Sequence, residues 1–153
     1  MNLKIYLGLL RKAEETLARS YREVADGHGA EPDVHFLCLT LAQQCDEHER
    51  RLRPVVERYG EDTSENEPER LHAEGLAETR SGPVGLLRDL QDLYLLASLV
   101  DITWTMIKQA ASALRDEELL AVVEKCDSET TIQLQWLQTR MKQAAPQALV
   151  AAR

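Results

Sequence analysis

Cysteine is scarce in this 153-residue chain. There are three, an odd number with no Cys-x-x-Cys pair, which excludes the disulfide framework of a small secreted domain. Positive charge is also short. Eighteen lysines and arginines face 26 acids, for a net charge of −8, and that balance disfavours phosphate backbones and anionic lipid surfaces. No long hydrophobic run is present. The longest weakly charged stretch, Leu93 to Ile107, is too short to span a bilayer and contains Asp101. The start, Met-Asn-Leu-Lys-Ile-Tyr, lacks the basic, apolar and small-residue segments of a signal peptide. A Gly-rich phosphate loop, a Walker lysine and a Gly-x-Ser-x-Gly elbow are all missing, so nucleotide and nucleophilic chemistry have no foothold. The expectation is one soluble, cytoplasmic domain over residues 1–153, without nucleic-acid or membrane partners.

What is there is helical periodicity. Leu3, Leu7, Leu10, Glu14, Leu17, Tyr21 and Val24 form one stripe, and the glycines near residue 28 end that helix. Val34, Cys38, Leu41, Cys45, His48, Leu52, Val55 and Tyr59 form a second, opened by Pro32 and stopped by Gly60. A third runs Leu86, Leu90, Leu93, Ala97, Val100, Trp104, Ile107 and Ala111 without a polar break. Its opposite face carries Leu95, Leu99, Ile102 and Met106, so this helix asks to be covered on both sides. Asp116 announces a fourth, with Leu119, Val122, Val123, Cys126, Glu129, Gln133, Trp136, Leu137 and Met141 on its seam. The spacing predicts helices over about 3–25, 32–59, 83–114 and 116–143, a crossover over 60–82 with a short helix near 68–77, and an unattached tail over 146–153. Gly8-Leu9-Leu10-Arg11 recurs as Gly85-Leu86-Leu87-Arg88, and Cys45-Asp46 as Cys126-Asp127, which hints at a duplicated hairpin.

Glu14, Cys45, His48, Cys126 and Glu129 each lie near mid-helix on an otherwise apolar seam. A charge among leucines demands a compensating partner, so these side chains are expected to meet in one layer. Glu14 seven residues before Tyr21, and Ala42-Gln43-Gln44-Cys45-Asp46-Glu47-His48, resemble the ferritin-like, rubrerythrin-type pattern of a helix-one glutamate and a helix-two Ala-x-x-Glu-x-x-His. The resemblance implies a four-helix bundle of two antiparallel hairpins joined by a long crossover. It also implies a di-metal site of four carboxylates and two histidines. Here Cys45 and Cys126 stand where glutamates belong, Glu129 where the second histidine belongs, and helix three offers no glutamate at the expected height.

A working di-iron oxidase is therefore not expected, and the leading expectation is a non-catalytic bundle without a cofactor. It would associate as a homodimer through Leu95, Leu99, Ile102 and Met106. The alternative is one zinc or iron ion, or a redox pair of thiols, held among Glu14, His48, Glu129, Cys45 and Cys126. Asp101 is expected to pair with Lys108, a tyrosine or a partner chain, and Trp104 and Trp136 to be core. His28, His35 and His72 receive no role.

Overall fold

A computed structural model of the protein describes residues 1–60, 75, 76 and 78–152. It is all-helical: α1 spans Leu3–Gly27, α2 Pro32–Tyr59, α3 Gly82–Leu114 and α4 Glu117–Pro146. The crossover helix expected near 68–77 falls largely outside the described residues.

Each boundary has a local cause. The turn between α1 and α2 closes with Glu31 N–H on the His28 carbonyl at 3.0 Å, and Pro32 opens α2 where no N–H is required. Pro54 lies inside α2 and the helix continues through it. A joint of only Arg115 and Asp116 separates α3 from α4. Arg115 takes the left-handed conformation at φ 54°, and Asp116 caps α4 by accepting from the Leu119 N–H at 3.1 Å.

Two details differ from the sequence reading. Gly27 does not end α1 by turning left-handed; positive φ among the described glycines occurs at Gly60 and Gly82. Gly27 is small because Thr79 passes over it: a Cβ there would sit 2.1 Å from Thr79 Oγ1. At the other end α4 stops at Pro146, but the tail beyond it is not unattached: it forms a π-type turn, Gln147–Ala151, that buries Ala148.

The four apolar stripes meet as expected. Leu7, Leu10, Leu17, Leu52, Leu90, Leu93, Ile107, Leu119 and Leu137 are fully buried or nearly so, each worth roughly 1.5–3 kcal/mol of transfer free energy. α1 packs most heavily on α2, α3 on α4, and α1 also lies against α3. Rising along α1, Arg11, Glu14 and Ala25 meet Glu49, His48 and His35 of α2. Glu14 and His28 likewise meet Trp104 and Asp89 of α3. Along α2, Asp33, Cys45 and Arg58 meet Arg140, Gln133 and Asp116. No described helix is long and apolar enough to cross a membrane.

Candidate functional site

The polar residues of the seams come together at mid-height. Glu14 and His48 are both fully buried, and His48 Nδ1 lies 3.0 Å from Glu14 Oε1. The same oxygen accepts the indole N–H of Trp104 at 2.9 Å. Trp104 is core, as its seam position suggested, but its N–H also serves the carboxylate; that role was not legible from the stripe. With Oε1 accepting from both sides, Nδ1 donates to it and Nε2 faces away from Glu14. Neither His48 Nε2 nor Glu14 Oε2 has a hydrogen-bond partner. The nearest acid on the Nε2 side is Glu129 of α4, with Oε2 at 3.8 Å, too long for a hydrogen bond. Glu129 is 27% exposed and leans on Lys125 at 3.9 Å.

A second group of contacts adjoins the first. The Tyr21 hydroxyl donates to Gln133 Oε1 at 3.0 Å, and Gln133 Nε2 donates to Gln44 Oε1 at 3.1 Å. Cys45 Sγ lies 3.9 Å from Gln133 Nε2. Gln133, read from sequence only as a polar position on the seam, is thus the hub joining α1, α2 and α4. Burial pushes the Cys45 thiol well up, with the Glu14 charge adding and Gln133 opposing. Cys126 moves the same way, by burial first and then by the charges of Glu14 and Glu129. Cys38, one heptad below Cys45, is pushed up to about 12 by burial. All three are free thiols, and none has the electropositive, exposed setting of a reactive cysteine.

The residues present do not fit the di-metal centre that the resemblance implies. Glu14 spends one oxygen on two N–H donors, and Gln133, which is not a metal ligand of that kind, occupies the centre of the adjoining network. Among the described residues no three His, Cys, Asp or Glu side chains converge closely enough to hold an ion as they stand.

A further buried cluster escaped the sequence reading. Asp89, fully buried at the start of α3, takes His28 Nε2 at 2.7 Å, the Arg80 backbone N–H at 2.9 Å and the Arg80 guanidinium at 2.8 Å. His28, assigned no role as a turn residue, instead ties the end of α1 to α3. His35 also has a task, with its Nδ1–H on the Ala25 carbonyl at 2.7 Å. His72 lies outside the described residues. Asp101 was expected to pair with Lys108, a tyrosine or a partner chain. Its carboxyl is held above the usual range by burial and then by Asp127, a like charge on α4. Trp136 is half-buried against the core instead of enclosed in it.

The outer face of α3 is open. Leu95, Ile102 and Met106 are 63%, 51% and 44% exposed, and Leu99 between them is half-buried. Met106 continues into an apolar groove of about 500 Å³ between Leu3 and Tyr6 of α1 and Ala110 and Leu114 of α3. Comparison of the chain with family models, with curated proteins and with solved structures gave no match in any of the three.

Proposed function

We propose that this chain is a ferritin-like bundle of two antiparallel hairpins, cytoplasmic and non-catalytic, that acts by associating with a second copy of itself through α3. The fold reading draws on the contact runs: α2 and α3 both run opposite to α1, so the end of α2 and the start of α3 lie at opposite ends of the bundle. The observation that carries the functional reading is the row Leu95, Leu99, Ile102 and Met106, extended by the groove toward Leu114. It follows one helix for about 30 Å at 1.5 Å per residue, the length of a helix-on-helix contact across a two-fold axis. Exposed apolar rows of this extent mark interaction surfaces more often than chance exposure.

Light scattering after size exclusion at micromolar protein tests it. A dimer is expected for the parent chain and a monomer for Leu95→Glu combined with Ile102→Glu. A monodisperse parent monomer refutes the association.

A second reading, a bundle that holds one zinc or iron ion in its polar layer, is favoured by the two buried atoms that lack partners, His48 Nε2 and Glu14 Oε2. Leaving such atoms unpaired costs about 1–3 kcal/mol each, and an ion removes that cost. Elemental analysis of chelator-free preparations, with His48→Ala as control, tests it.

A further inference from the structure

We propose that the second copy docks antiparallel on α3, about a two-fold axis passing between Leu99 and Ile102, so that the start of each α3 fills the groove at the end of the other. The proposal rests on the association reading above and fixes how the two copies meet.

Spacing permits this pairing and shape selects it. The row Leu95, Leu99, Ile102 and Met106 steps by four, three and four, so it reads the same from either end. A reversed copy therefore sets Leu95 on the partner's Met106 and Leu99 on the partner's Ile102, as a self-complementary contact requires. The two ends of the helix are not alike. Before the row, Arg88 and Val84 continue the same face, and both are exposed. After it, Ala110 and Ala113 continue the face and line the apolar groove of about 500 Å³ beside Leu3, Tyr6 and Leu114. One end projects and the other is hollow. A parallel pairing would set hollow against hollow and leave both grooves open. Reversal seats each projecting end in the partner's hollow: Arg88 lies about 19 Å to one side of the axis and Leu114 about 20 Å to the other, at 1.5 Å per residue.

Charge points the same way. Arg88 and Glu117, both exposed, make no ion pair among the described residues. Glu117 lines a second concavity that shares Met1 and Leu114 with the apolar groove, so it stands at that groove's far end. The cation beside it, Arg115, falls by helical spacing on the side of α3 away from the row. The antiparallel pairing brings Arg88 of each copy toward the partner's Glu117, with its aliphatic stem laid over the alanines. A parallel pairing brings Arg88 to Arg88 and Glu117 to Glu117, and like charges set face to face oppose association.

The experiment oxidises a mixture of two single variants of the full chain, Leu95→Cys and Met106→Cys, one of them carrying a mass tag; the three native cysteines are buried. A disulfide joining the two variants is expected. Leu95→Cys should not link to itself, because the two copies of that position stand about 16 Å apart along the axis, beyond the roughly 7 Å a disulfide spans. Sedimentation equilibrium then reads the charges. Arg88→Glu and Glu117→Arg should each weaken the dimer roughly tenfold, and the two together should restore it to within about threefold. Circular dichroism confirms that each variant is helical. A parent dimer in which the mixed disulfide does not form, in which Leu95→Cys links to itself, or in which the double reversal fails to recover the dimer overturns the antiparallel pairing and leaves association standing. A monodisperse parent monomer overturns both.

Discussion

Replacing Trp104 by phenylalanine isolates the contact on which the polar layer turns. The indole N–H donates to Glu14 Oε1 at 2.9 Å with both residues fully buried, so no water can replace the lost bond. A hydrogen bond to a charged group contributes about 1.5–3 kcal/mol, and the smaller ring leaves a void of about 40 Å³ worth about 1 kcal/mol more. The expected destabilisation is therefore about 2.5–4 kcal/mol. The two parts separate in a double-mutant cycle with Glu14→Leu. Without the carboxylate the indole N–H is itself an orphan, so its removal there costs only the void, about 1 kcal/mol or less. The expected coupling is about 2 kcal/mol. Guanidinium unfolding followed at 222 nm measures it, since fluorescence is compromised when Trp104 is the residue removed. Equal losses in the two backgrounds, within about 0.5 kcal/mol, would show that Trp104 acts by volume alone and that Glu14 finds its compensation elsewhere.

Asp116→Ala should cost about 2 kcal/mol in the same assay. It removes the cap on the Leu119 N–H together with the contacts of Tyr59 and Arg58, whereas Asp116→Asn should retain most of the cap. Cys38 holds its proton to about pH 12 in the native chain but only to about pH 9 when unfolded, so its stability contribution is intact below 9 and lost as pH rises toward 12. Comparing parent with Cys38→Ala at pH 8 and 10.5, the parent's advantage should shrink by about 2 kcal/mol; a pH-independent difference would contradict thiol burial as the cause. Asp101→Asn should stabilise at pH 7, by under about 1 kcal/mol after solvent screening, because it removes a partly buried charge and relieves the like charge of Asp127. Since the folded Asp101 carboxyl sits above its usual range, that gain should vanish as pH falls below the range where either state ionises, which urea melts at pH 3.5 and 7 will show.

The stripes were legible because each obeys one period over many turns, and no competing pattern runs through α1. The meeting of Glu14 with His48 was legible too, since a lone acid and a lone imidazole on facing apolar seams have few other partners. What the sequence could not carry is direction. Periodicity places Trp104 on the core face but does not say where its N–H points, and it marks Gln133 as polar without naming three partners on two other helices. His28 looked like a turn residue because Gly27 and Gly29 flank it. Yet Gly27 is there to admit Thr79, which brings Arg80 and Asp89 onto His28. Such packing of distant segments leaves no local period to read. Asp116 was legible for the opposite reason: its cap acts three residues away on its own helix.

Direction also organises the layer. Glu14 draws together α1, α2 and α3 through His48 and Trp104, while Gln133 draws together α1, α2 and α4 through Tyr21 and Gln44. Both hubs turn their bonds inward, and each buried donor they touch is satisfied. Among the described residues the unpartnered buried side-chain atoms of this layer are Glu14 Oε2 and His48 Nε2, and the latter faces Glu129, a carboxylate that reaches solvent. A layer that served packing alone would gain by pairing that nitrogen, for instance with a glutamine at position 129 whose amide could donate to it. Glu129→Gln therefore tests the orientation of the ring: it should stabilise the metal-free chain by about 1 kcal/mol, the net worth of a new buried hydrogen bond. If that variant loses stability without metal, Nε2 is not the unpaired group the geometry describes, and the orientation argued for His48 fails with it.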